Sequence, residues 1–128
     1  MNPVVHFELP YTQADRAQAF YENVFGWKTQ PLGPDMGDYI LATTAEADAK
    51  PGEPAGTING GFFPVKPVWP DQYPAIVIGV GDIQETMKKI GEHGGEVLGE
   101  PYEIPGFGQY VSFRDTEGNR NSVLQPSL

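Results

Sequence analysis

Residues 4–26, VVHFELPYTQADRAQAFYENVFG, read as a strand running into a helix, and the same order returns at 75–95 as AIVIGVGDIQETMKKIGEHGG. In the first copy Val5, Phe7 and Leu9 alternate with His6 and Glu8, the period of a half-buried strand over 4–10. The spacing then changes to threes and fours. Ala17, Phe20, Tyr21, Val24 and Phe25 form one apolar stripe, which predicts a helix over about 13–25. Thr12 is placed to cap it, with Asp15 three residues on, and Gly26 suits its end. In the second copy 75–80 is the strand. Asp82 caps the helix with Glu85 at the box position, Ile83, Met87 and Ile90 make the stripe, and Gly94 and Gly95 close it.

The repeat runs on. GDYILA (37–42) matches GQYVSF (108–113), so Tyr39 corresponds to Tyr110. INGGFFP (58–64) matches RNSVLQP (120–126) in its Asn and its closing Pro. The first half is longer because TAEADAKPGEPAG (44–56), rich in Ala, Pro and Gly, reads as an exposed loop where the second half has the tight turn DTEGN (115–119). Each half is therefore strand, helix, then three strands. The expected organisation is a single domain with a first module at about 3–64, a linker at about 65–73 and a second module at about 74–126. PVKPVWPDQYP (64–74), with four prolines and Trp69, suits an extended crossing segment. Neither half can bury its sheet alone.

Composition narrows the function. A length of 128 residues and 39% hydrophobic content fit one compact domain. A net charge of −9 argues against binding a nucleic-acid backbone and favours neutral or cationic partners. Without cysteine there is no disulfide, thiol catalysis or zinc–thiolate site. No run approaches the roughly 20 apolar residues that span a bilayer. The start of the chain shows no basic segment leading into an apolar run, so a cytoplasmic location is expected.

Three stretches carry a family likeness: VVHFELP at the start, AFYENVFGW (19–27) and FRDTEGNRNSVLQP (113–126). With the doubled strand–helix–three-strand plan, the chain resembles the vicinal oxygen chelate superfamily of glyoxalases, bleomycin-resistance proteins and extradiol dioxygenases. The resemblance implies an α+β fold of two βαβββ modules whose curled mixed sheets surround a cavity, and often a homodimer. It also implies that one face of each sheet carries the helix while the other lines the cavity. Strand parity then puts His6, Glu8, Tyr39, Leu41, Gly60 and Phe62 of the first module on the lining. Ala75, Val77, Tyr110, Ser112, Ser122 and Leu124 follow from the second, with Trp69 available to cover one end. This mixed aromatic and polar set suits a small organic ligand.

Metal-dependent relatives place four ligands, one on the first and one on the last strand of each module. The resemblance projects these onto His6, Gly60, Ala75 and Ser122. Only His6 is a good divalent-metal ligand there, and Gly61 beside Gly60 adds no donor. Glu8 shares the His6 face and is the one further candidate ligand. No cofactor is therefore expected, and a divalent metal at His6 and Glu8 is the lesser alternative.

The remaining candidates have plain readings. His6 and Glu8 are either an acid–base pair or a hydrogen-bonded polar pair in a wet cavity. Tyr39 and Tyr110 offer hydroxyls to a ligand or simply form its wall. Arg114 shares Tyr110's parity and could clamp a carboxylate, but a surface pairing with Asp115 or Glu117 is the plainer expectation. His93 reads as a surface residue near a helix C-terminus. GFG (106–108) reads as a mobile lip at the cavity mouth, and the acids of 46–53 as loop charges without calcium-site spacing. The leading expectation is a small-molecule-binding protein of the glyoxalase/bleomycin-resistance type with an incomplete metal site. The alternatives are an enzyme, either a lyase or isomerase using His6 and Glu8 as acid–base groups or a dioxygenase-like metalloenzyme with an unusual site, and a protein-association domain with a vestigial cavity.

Overall fold

The computed structural model describes residues 1–45 and 58–127. The loop 46–57, with most of the expected long insertion and its acids, lies outside the described residues. The described chain has β1 (Val4–Tyr11), α1 (Ala14–Phe25), β2 (Lys28–Pro31), β3 (Ile40–Thr43) and β4 (Asn59–Pro64). Then follow β5 (Ala75–Gly79), α2 (Ile83–Glu92), β6 (Glu96–Ile104), β7 (Gly108–Arg114) and β8 (Arg120–Pro126). This is the doubled βαβββ order. The fold is the α+β glyoxalase/bleomycin-resistance fold.

The chain forms two compact units, His6–Pro74 and Met1–Val5 with Ala75–Leu128. The first five residues thus group with the second module, where the Pro3 carbonyl accepts the Gly79 N–H at 2.9 Å. In the first unit the strand order is β2-β3-β4-β1, with β1 and β4 parallel and the other pairs antiparallel. In the second it is β5-β8-β7-β6, with β5 and β8 parallel.

Each unit has its own core on one sheet face. In the first unit Ile40, Ala42 and Phe62 are buried, with Phe7, Leu9, Tyr21 and Trp27 packed against them. Gly26 explains the FGW motif. Its left-handed φ of 71° ends α1, and its N–H returns to the Glu22 carbonyl at 3.0 Å. The turn brings Trp27 back onto Tyr21, ring centroids 4.7 Å apart and nearly parallel, and onto Phe62. The helix stripe is wider than the face that packs: Phe20, Val24 and Phe25 remain more than half exposed. In the second unit Val80, Ile83, Val111, Phe113 and Val123 are buried, with Ile78, Met87, Ile90 and Val97 against them.

The two helices start differently. Asp82 caps α2 as expected, its carboxylate accepting the Glu85 N–H at 3.0 Å. Thr12 does not cap α1. That helix begins at Ala14 behind Gln13, which makes no side-chain cap, and Thr12 Oγ1 instead accepts from the Arg16 guanidinium at 3.1 Å. The GFG stretch is the tight β6–β7 turn rather than a lip. The Phe107 N–H bonds the Ile104 carbonyl, and the Phe107 carbonyl accepts the Ser127 N–H. The 65–74 connection is stapled by Gln72, whose amide bonds both Lys66 backbone groups and the Trp69 carbonyl. Trp69 itself is 58% exposed beneath the Lys66 ammonium. No helix among the described residues is long and apolar enough to cross a membrane.

The helix starts give opposite expectations in thermal denaturation. Asp82→Ala should cost about 1 kcal/mol, the usual worth of a side-chain cap. Gln13→Asp should add a few tenths to 1 kcal/mol, because position 13 already has the extended cap conformation but the longer Gln side chain makes no cap hydrogen bond.

Candidate functional site

On the helix-free face of the first unit, parity and register put His6, Glu8, Tyr39, Leu41 and Gly61 together. Tyr39 lies where it does because position 61 has no side chain. A Cβ there would stand 2.2 Å from the Tyr39 ring, a collision no side chain tolerates. The ring instead lies close to the β4 backbone, and its hydroxyl meets His6 Nε2 at 2.8 Å. The two ring planes are within 20° of parallel, with centroids 6.3 Å apart. Gly60 serves the opposite face in the same way, since a Cβ there would stand 2.5 Å from the Phe7 ring. Glycine is therefore required twice in succession, once for each side of the strand.

Burial disfavours the His6 imidazolium and holds its pKa below the ordinary 6.5, while the Glu8 carboxylate pulls partly back. The ring is consequently neutral at neutral pH. In that state one ring nitrogen donates and the other accepts, and the Tyr39 hydroxyl can serve Nε2 in either tautomer.

The second unit carries a row of hydroxyls on its helix-free face. Ser122, 4% exposed, donates to the Tyr110 hydroxyl at 2.6 Å. Its Oγ stands 3.0 Å from Ser112 Oγ, so Ser112, Ser122 and Tyr110 form a short relay. Tyr102 on β6 stands opposite Tyr110, ring centroids 5.5 Å apart. Val77 and Leu124 complete this face, Val77 beside Ser122 and Leu124 beside Tyr110.

Most of the expected lining thus falls on helix-free faces, and two positions do not. Gly60 pairs with Phe7, and Phe62 is 1% exposed in the helix-side core against Tyr21. The register of β4 is one residue from the expected one, because the two consecutive glycines hide which of them carries the parity. Arg114 pairs with Glu96 across the β6–β7 ladder at 3.6 Å. Asp115 is committed to the turn. Its carboxylate accepts the Asn119 amide and the Glu117 and Asn119 N–H groups, which hold its pKa below the usual carboxylate range. His93 is the exposed C-cap of α2. Tyr102 and Arg120 were not singled out from the sequence. Tyr102's partner is not legible from counting along the strands, because a bulge in β6 sets the five residues Leu98–Tyr102 against only three of β7, Tyr110–Ser112.

Comparison with known proteins adds the lineage. The family model described as Glyoxalase/Bleomycin resistance protein/Dioxygenase superfamily matches residues 4–123. The chain belongs to that superfamily. A glyoxylase-like domain-containing protein of Didymella fabae is 29% identical over 119 residues, covering 91% of this chain and 88% of that one. The protein CFP32 of Mycobacterium bovis is also 29% identical, over 94% of this chain, but this chain spans only 42% of its length. Among solved structures, a Streptomyces coelicolor methylmalonyl-CoA epimerase variant superimposes with a TM-score of 0.70 at 16% identity, over 100% of this chain and 99% of that one. The Mycobacterium tuberculosis methylmalonyl-CoA epimerase gives 0.68 at 13%, over 98% and 89%. At those identities the structures share the fold.

For a glyoxalase-superfamily chain the question is whether the donors fit a metal. Among the described residues no three His, Cys, Asp or Glu side chains gather where they could hold an ion. His6 Nε2 is engaged by a phenol, and the corrected β4 register puts Gly61, another residue without a donor, on the His6 face. The residues present do not fit the four-ligand site.

The depressed His6 pKa has a consequence for stability. Above 6.5 the ring is neutral folded or unfolded. Below it the unfolded chain takes up a proton that the folded chain resists, so stability falls as pH drops through 6.5. In Tm measurements from pH 8 to pH 5, His6→Gln should flatten the part of this decline lying just below 6.5.

Proposed function

We propose that this chain binds a small organic molecule on the helix-free faces of its modules and holds no resident metal. The observation that carries the reading is the His6–Tyr39 pair. In relatives that use a metal, the histidine position supplies a ligand. Here it is hydrogen-bonded to a tyrosine that a glycine admits, and among the described residues no three His, Cys, Asp or Glu side chains gather there to hold an ion. A neutral imidazole and a phenol, flanked by Glu8 and Leu41, offer hydrogen bonds in a half-buried setting. In the other unit Ser112, Ser122 and Tyr110 do the same beside Val77 and Leu124.

A second reading, proton transfer in an isomerase or lyase, is favoured by one observation. Nε2 makes the His6 hydrogen bond, which leaves Nδ1 for a substrate, and burial keeps the ring in the neutral form that a base requires. Glu8 raises its basicity. Solved structures of the same fold include methylmalonyl-CoA epimerase in complex with methylmalonyl-CoA, which makes acyl compounds with an acidic proton the first substrates to try.

A thermal-shift screen across compound classes tests the first reading. A ligand at about 100 times its Kd adds about 2.7 kcal/mol and should raise the Tm by several degrees. The shift should shrink in Tyr39→Phe or Ser122→Ala. If no class of compound moves the Tm, the binding reading fails. For any compound that is turned over, His6→Ala should lower kcat by about 10²-fold or more if His6 is the base, and should change it little if His6 only binds.

A further inference from the structure

Arg114 and Arg120 are two of the three arginines in the chain, and they stand directly opposite each other at the turn end of the β7–β8 hairpin. Both are half-buried. Like charges in directly opposed positions destabilise a strand pair. In a chain of net charge −9 with eight basic residues, composition gives no reason for the pairing. Each arginine already has an interaction within the protein, and Glu96 meets Arg114 at 3.6 Å. The Glu96 side chain, however, is 67% exposed. An exposed ion pair of that kind is weak and exchanges readily.

The register orders the rest of this face. Glu96, Arg114 and Arg120 form one cross-strand row with a formal charge of one negative and two positive groups. Leu98, Ser112, Ser122 and Val77 form the next row. Tyr102, Tyr110 and Leu124 form the third. All lie opposite the helix-side core, whose members on these strands are Ile78, Val97, Val111, Phe113 and Val123. Alternate residues of a strand are about 7 Å apart, so the guanidinium row and the tyrosine row are separated by about 14 Å along the hairpin. Charge, hydroxyls and aromatic surface therefore follow one another in a line.

We infer that this face is an anion-terminated binding track, in which Arg114 and Arg120 clamp a carboxylate or phosphate while the serine and tyrosine rows take the uncharged body of the ligand. Guanidinium forks match both anions bidentately, and two forks side by side can hold one group from two directions. The Ser112–Ser122–Tyr110 relay supplies neutral hydrogen-bonding hydroxyls for a carbonyl or ether further along, and the Tyr102–Tyr110 pair, its rings tilted 52° to each other, supplies an aromatic end. The ligand class is an acyl or aromatic compound with one terminal anion. The inference deepens the small-molecule reading above and rests on it. It also sharpens what the acidic composition suggests: net charge governs the distant field, whereas a local arginine pair selects the ligand.

Binding of phenylacetate, phenyl phosphate and the neutral isostere phenylacetamide, measured by calorimetry at low salt, tests the inference. At least one anion should bind about tenfold or more tighter than the amide, and the preferred anion distinguishes carboxylate from phosphate as the natural group. Arg114→Gln/Arg120→Gln should weaken that anion at least about tenfold with the amide unchanged. Glu96→Gln should tighten it about threefold by removing a competing carboxylate, and this variant decides the matter if the double variant does not fold. If the amide binds as well as the acids, or the arginine and glutamate variants leave the anion's Kd unchanged, the anion track is wrong while the binding reading stands. If none of the three binds but the broad screen yields a neutral ligand, the track again fails alone. If the screen is also empty, both fail.

Discussion

Two consecutive glycines in β4 decide what the first module can be. Gly60 admits the Phe7 ring on the helix side, and Gly61 admits the Tyr39 ring on the other. The first contact lets Phe7 join the core around Phe62, Tyr21 and Trp27. The second brings the Tyr39 hydroxyl within 2.8 Å of His6. A side chain at either position would collide with a ring rather than with a flexible end. The same few atoms of strand therefore couple the packing of the core to the chemistry of the opposite face.

That coupling changes what the histidine is. A histidine on the first strand of such a module stands where metal-using relatives keep a ligand, but a ligand needs company. Here the company is a phenol, and burial keeps the ring neutral. In the second module the corresponding chemistry is carried by hydroxyls. Ser122 occupies a last-strand position and bonds Ser112 and Tyr110. The two modules share a plan and differ in what they offer: an imidazole–phenol pair in one, and a hydroxyl relay next to paired arginines in the other.

The architecture was legible because it is written twice. The change from alternating to three-and-four spacing at 4–26 and again at 75–95 gives the strand–helix order, and the Tyr39–Tyr110 correspondence fixes which strands follow. Parity then sorted Val77, Tyr110, Ser112, Ser122 and Leu124 correctly to the helix-free face, because their neighbours Ile78, Val111, Phe113 and Val123 are unambiguous core residues. It failed at β4, where Gly60 and Gly61 carry no hydropathy signal and Phe62 and Phe63 are both apolar, so the pattern admits either register. The Arg114–Glu96 pair and the Tyr102–Tyr110 contact were out of reach for another reason. Both depend on how β6 pairs, and its bulge cannot be read from alternation. Thr12 failed as a cap because the helix starts one residue later than its spacing suggested.

His6 is a half-buried, neutral partner of Tyr39, held there by the space at Gly61. An NMR titration of the His6 ring in the native chain and in Gly61→Ala tests it most directly. The native ring should titrate below 6.5, and Gly61→Ala, by displacing Tyr39 and opening the ring to water, should move the pKa back up toward that value. A native pKa at or above 6.5, or a ring that titrates identically in both proteins, would contradict the account.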